Sequence, residues 1–159
     1  LMKGILMAML KVGDRAPGFS LTDQNDEKVA LSDFKGKKLL VYFYPKADTP
    51  GCTKQACSIR DSAQELTDDG IAAVGISPDA PAKQKKFDDK YDLKFPLLSD
   101  PDHEIALAYG AWGEKTNYGK TYEGIIRSSF LIGEDGKILQ VSYKVKPLDT
   151  VGNAKKALS

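Results

Sequence analysis

Leu39-Leu-Val-Tyr-Phe-Tyr44 constrains the fold more than any other run in this chain. Six apolar residues in a row leave no face for water, so the segment reads as a central strand covered on both sides. A helical pattern follows over residues 52–69, where Ala56, Ile59, Ala63 and Leu66 fall at three- and four-residue spacing and Gly70 ends it. Ile71-Ala-Ala-Val-Gly-Ile76 is then a second buried strand. Strands alternating with helices give an α/β sheet.

The flanking segments extend that core. Phe19-Ser-Leu21 and Lys28-Val-Ala-Leu31 enclose the turn-rich Asp23-Gln-Asn-Asp26, which predicts a short hairpin. Residues 81–91 read as a helix with a Lys- and Asp-rich outer face, and Phe95-Pro-Leu-Leu98 as a short extended piece. Residues 101–109 predict another helix, with Pro101 first and Gly110 after its end. Residues 111–124 are rich in Gly and Tyr and read as a loop. Residues 127–132 and 137–143 form a second hairpin around Glu134-Asp-Gly136, and Asp149 starts a last helix that runs to the chain end. This order matches a thioredoxin-like α/β fold with an N-terminal hairpin extension and an insertion near residues 93–124.

Composition narrows the partners. The 159 residues suit one domain, placed at 12–159, and the net charge of +1 offers no strong field for nucleic acid or an anionic membrane. Residues 1–11 are apolar but too short to span a bilayer, and they lack a convincing small-residue cleavage site. They are expected to be an extension without a role of its own, a cloning remnant or trimmed end. The Cys and His inventory is Cys52, Cys57 and His103, three residues spread from position 52 to 103. A structural zinc site wants four closely spaced ligands, so no metal is expected. Two cysteines are also too few for a secreted disulfide scaffold.

Chemistry concentrates in Pro45-Lys-Ala-Asp-Thr-Pro-Gly-Cys52-Thr-Lys-Gln-Ala-Cys57, between the first buried strand and the first long helix. A cysteine at a helix N-terminus meets unpaired backbone N–H groups and the positive end of the dipole. That setting favours thiolate, the nucleophilic form. Cys52 shares the stripe of Ala56, Ile59 and Ala63 and faces inward, whereas Cys57 sits off that stripe near Lys54, Arg60 and Asp61 and should be partly exposed.

Several readings of the pair compete. A structural disulfide closing so short a loop contributes only about 2 kcal/mol in the loop-entropy model. Five residues apart on a regular helix, the Cα atoms are separated by roughly 8 to 9 Å. A disulfide needs less than about 7 Å. The bond therefore requires the first helical turn to unwind, which makes a poor staple and a usable redox switch. Inert core thiols are a second reading. A cysteine protease would need a histidine base, and His103 sits in what reads as a solvated helix start. A thioredoxin-type disulfide reductase would carry Cys-x-x-Cys, whereas this chain has four residues between its cysteines. A redox sensor that stops after one oxidation remains a non-enzymatic alternative.

The segment resembles the peroxiredoxins, and within them the bacterioferritin-comigratory or peroxiredoxin Q group. The family motif Pro-x3-Thr/Ser-x2-Cys is matched by Pro45, Thr49 and Cys52. Tyr42-Phe-Tyr-Pro-Lys46, Arg60-Asp61, Tyr109-Gly-Ala-Trp-Gly-Glu114 and Gly124-Ile-Ile-Arg-Ser-Ser-Phe130 also look like this group, so the likeness runs from about Val12 to the last helix. Ala47 departs from it, where an acidic residue is often found, and the C-terminal helix looks short.

The resemblance implies a peroxidatic Cys52, a resolving Cys57, and Thr49, Arg127 and Pro45 completing the pocket. It implies hydrogen peroxide and organic hydroperoxides as substrates, thioredoxin or a similar dithiol as reductant, and no cofactor. A monomer acting in the cytoplasm is the accompanying expectation. Trp112, in the Gly-rich stretch, is a candidate to pack beside the site, while Phe43 is expected to fill the core.

Overall fold

The computed structural model describes residues 9–158. It opens with a hairpin, β1 (Ser20–Thr22) and β2 (Lys28–Ala30), followed by a 3-10 turn at Leu31–Phe34. Next come β3 (Lys38–Phe43), α1 (Pro50–Asp61), α2 (Ala63–Asp68), β4 (Ile71–Ser77) and α3 (Pro81–Tyr91). Then follow β5 (Leu97–Ser99), α4 (Glu104–Ala108), β6 (Trp112–Asn117) and β7 (Lys120–Ile125). The last elements are β8 (Ser128–Ile132), β9 (Ile138–Tyr143), a 3-10 turn at Pro147–Asp149 and α5 (Thr150–Lys156).

Seven strands form one sheet in the order β2-β1-β5-β4-β3-β8-β9. β3 runs parallel to β4 and antiparallel to β8, so the apolar run lies in the interior of the sheet as expected. Leu39 through Tyr44 are all 0% exposed. Alternation along the strand divides them between two cores. Leu39, Val41 and Phe43 join Val74, Ile76, Tyr109 and Phe130 on one face. Leu40, Tyr42 and Tyr44 join Cys52, Ala56 and Ile59 of α1, Phe87 of α3 and Val151 of α5 on the other. Each fully buried side chain of this size contributes about 1.5–3 kcal/mol. The site is thus built on a floor with little freedom to move.

Four expectations are corrected. The helix over residues 52–69 is two helices and starts earlier. Pro50 occupies the first helical position, where its missing N–H costs nothing. The break falls at Ser62, whose ψ of 8° leaves the helical range. The helix over residues 101–109 shortens to α4, because His103 takes a left-handed φ of 60°. The buried Asp100 caps it by accepting the Ile105 and Ala106 N–H groups at 3.3 and 3.0 Å.

Residues 111–124, read as a loop, contain the antiparallel hairpin β6–β7. Tyr118 and Gly119 both have positive φ, 52° and 79°, as a two-residue type I′ turn requires. Finally, His103 is half-buried rather than solvated, and its ring stacks on Trp112 at 3.8 Å. Trp112 packs against the core on the face away from Cys52. Phe43 fills the core as expected, against Tyr109 and Phe130.

Most of the N-terminal extension lies outside the described residues. Within them, the Leu10 N–H donates to Tyr143 Oη at 2.9 Å. Among the described residues, no helix is long and apolar enough to cross a membrane.

Candidate active site

The chain leaves the sheet at Tyr44, whose N–H donates to the Ile76 carbonyl at 3.0 Å. The loop from Pro45 to Thr49 is tied down on one side. The Ala47 N–H donates to Asp79 Oδ2 at 2.7 Å. The Asp48 carboxylate accepts from Lys90 Nζ and Tyr91 Oη, both at 3.0 Å. The Lys90 contact, and next the Tyr91 hydroxyl, hold the Asp48 carboxyl below its usual range. Asp48 itself takes a φ of 60°, the left-handed turn that swings the chain into α1.

Thr49 is the N-cap, yet its hydroxyl does not cap. Oγ1 donates instead to the Lys46 carbonyl at 2.9 Å. Cys52 is therefore the third residue of α1, within the turn whose N–H groups have no intrahelical acceptor. It faces inward as expected and is 1% exposed.

Arg127 arrives from the segment between β7 and β8. Its carbonyl accepts the Val145 N–H at 3.0 Å, which fixes the backbone. Its guanidinium Nη2 donates to Cys52 Sγ at 3.4 Å, and Nη1 donates to Gln55 Oε1 at 2.7 Å. Gln55 Nε2 in turn donates to Thr150 Oγ1 at 2.9 Å, and that hydroxyl donates to the Pro147 carbonyl at 3.1 Å. Gln55 and Thr150 are both 0% exposed. Gly51 lets the guanidinium approach this closely. A Cβ there would lie 3.0 Å from Arg127 Nη2 and 3.8 Å from Pro147 Cγ.

The structure thus brings Cys52 and Arg127 into contact, with Pro45 and Thr49 bounding the loop that delivers the cysteine. Cys57 lies further along α1, half-buried and packed against the same core. Arg60, one turn on, is pinned by donating to the Tyr91 carbonyl and by pairing with Asp61 at 3.0 Å. Both cysteines are free thiols.

Gln55 and Thr150 escaped sequence reasoning. The available signal was a polar Gln55 three residues after Cys52, on the stripe that otherwise reads apolar. Beyond Arg127 opens a cavity of about 450 Å³ lined by Lys115, Ile126, Lys144 and Val145. Burial, and then the Arg127 charge, push the Lys115 ammonium below its ordinary range.

A buried sulfur under a guanidinium at the start of a helix is an arrangement for thiol chemistry, and comparison with known proteins agrees. The AhpC/TSA family pattern matches residues 12–141. The putative peroxiredoxin bcp of Haemophilus influenzae is 57% identical over 143 residues, 90% of this chain and 92% of that protein. Peroxiredoxin Bcp of Escherichia coli K12 is 56% identical over 135 residues, 85% of this chain and 86% of its own length.

Among solved structures, peroxidoxin BcpB from Mycobacterium tuberculosis superposes with a TM-score of 0.84 at 35% identity, covering 95% and 97% of the two chains. The bacterioferritin comigratory protein of Xanthomonas campestris, described for its alkyl peroxide reduction activity, gives 0.78 at 33% identity over 88% and 87%. The thioredoxin-like architecture expected from the strand order is the one these neighbours share. With that match over most of its length and relatives more than half identical, this chain belongs to the AhpC/TSA family and is a peroxiredoxin of the Bcp type.

Proposed function

We propose that this peroxiredoxin reduces hydrogen peroxide and organic hydroperoxides with Cys52 as the attacking thiolate and Cys57 as the resolving thiol. The observation that carries the reading is Arg127 Nη2 at 3.4 Å from Cys52 Sγ. A fixed positive charge there stands ready for the charge that grows on the leaving oxygen. The Thr49 hydroxyl commits its hydrogen to Lys46, so its lone pairs are open to a peroxide O–H. The N–H groups of Gly51 and Cys52 belong to the unpaired first turn and can line up the peroxide oxygens. Pro45 supplies no N–H and stiffens the loop, shielding the oxidised sulfur.

The steps balance without a cofactor. The thiolate attacks one peroxide oxygen, the O–O bond breaks, and its electron pair leaves with the other oxygen, which takes up a proton as alcohol or water. Cys52 becomes a sulfenic acid. The Cys57 sulfur then attacks it, an S–S bond forms and water leaves. An external dithiol, thioredoxin by the family resemblance, reduces the disulfide and is itself oxidised. A cytoplasmic setting, where thiols are kept reduced, suits that cycle.

The test is peptide mapping after one equivalent of peroxide, paired with turnover in the presence of thioredoxin and its reductase. An intramolecular Cys52–Cys57 bond and many peroxide equivalents consumed are expected. A bond that never forms removes the resolving role of Cys57. A single equivalent consumed turns the protein into a sensor.

A further inference from the structure

Gln55 lies between the two cysteines in sequence, inside the segment that a Cys52–Cys57 bond would close. Any rearrangement that brings Cα atoms from the roughly 8 to 9 Å of a regular helix to under about 7 Å must move it. Its side chain is held at both ends, by Arg127 at 2.7 Å and by Thr150 at 2.9 Å. Gln55 and Thr150 are both 0% exposed, so their contact has no water as a ready substitute, while the contact with Arg127 is part-buried.

Thr150 also decides which way the amide points. Its hydroxyl hydrogen goes to the Pro147 carbonyl at 3.1 Å, which leaves its oxygen to receive an N–H. Gln55 Nε2 fills that place, and the amide oxygen is left facing Arg127. The reverse orientation would set an amide NH₂ against a guanidinium, donor against donor. A residue on the last helix therefore aims an arginine two contacts away.

We propose that Thr150, acting through Gln55, is a positioning residue for both halves of the cycle. It aims Arg127 at Cys52 for peroxide attack, and it latches α1 against the unwinding that joins Cys52 to Cys57. The inference rests on the two-cysteine reading above. It gives the two steps opposite responses to one lost hydroxyl. Thr150→Val removes the hydroxyl at nearly constant shape, so attack slows while disulfide formation speeds up.

The experiment uses the full chain and hydrogen peroxide, with the two steps timed separately by rapid mixing. In a Cys57→Ser background, Thr150→Val is expected to slow sulfenic acid formation about fivefold, the effect of one net hydrogen bond. With both cysteines present, it is expected to speed disulfide formation by a similar factor. Thr150→Ser, which keeps the hydroxyl, restores both rates, and Gln55→Met repeats the opposite-sign pattern should Thr150→Val fold poorly. Both rates falling together, both unchanged, or Thr150→Ser behaving like Thr150→Val would overturn the inference. Failure of the unmutated chain to form sulfenic acid or disulfide at all would instead overturn the two-cysteine reading, and is distinguished by that control.

Discussion

Cys52 and Cys57 ride the same helix five residues apart, yet their surroundings differ in almost every respect. Cys52 is 1% exposed and touched by a guanidinium that is held by a buried amide, a buried hydroxyl and a backbone carbonyl. Cys57 is half-buried against apolar neighbours, with Arg60 one turn away turned toward Tyr91 and Asp61. Exposure alone would nominate Cys57 as the reactive sulfur. The fixed donors nominate Cys52. For thiol chemistry the second criterion outranks the first, because oriented charge acts on the transition state whereas open access only admits the reagent.

The sharpest way to break the comparison is to exchange one sulfur at a time. Cys52→Ser is expected to abolish peroxide consumption, whereas Cys57→Ser keeps one rapid equivalent and loses recycling by thioredoxin, both read in a coupled turnover assay. Equal losses in the two variants would erase the distinction between the sulfurs. Next in size is the donor. Arg127→Ala should slow the first step by about 10²- to 10³-fold, measured as the second-order rate of sulfenic acid formation. An unchanged rate would take Arg127 out of the mechanism.

Gly51→Ala is a gentler probe of the same contact. Its Cβ would press on Nη2 from 3.0 Å, so the guanidinium must shift by a few tenths of an ångström. The expected cost is about tenfold in the first step with little change in fold by circular dichroism.

The smallest effect concerns the loop in front of Cys52. The folded state favours ionised Asp48 through its Lys90 and Tyr91 contacts. That support is complete above the ordinary carboxylate range near pH 4 and drains away as pH falls through the lowered folded value. The Tm difference between the unmutated chain and Asp48→Asn should therefore be largest near neutrality and vanish in acid. It should be small throughout, since an exposed pair is worth little. A difference independent of pH would remove the ionic tie.

How much was legible in the sequence depends on whether a feature carries its own period or motif. β3 and β4 were readable because burial on both faces writes continuous apolar runs. Cys52 was readable as an inward-facing residue at a helix start from strand, turn and stripe alone. Arg127 was not, because a lone strand arginine is ordinary; only the family resemblance singled it out. The β6–β7 hairpin was missed because most of its side chains face solvent, so no alternation marks it, and its only turn signal was Tyr118-Gly119. Gln55 and Thr150 were missed for a different reason. They lie 95 residues apart and meet only when the last helix packs against α1, and no local rule pairs them.

The stack of His103 on Trp112 has a practical consequence. Trp112 is the chain's single tryptophan and His103 its single histidine, and the pair sits at the foot of the β6–β7 hairpin. Indole emission senses whatever lies against its ring. The protein therefore carries one built-in tryptophan reporter, free of any label, placed where that hairpin meets the core.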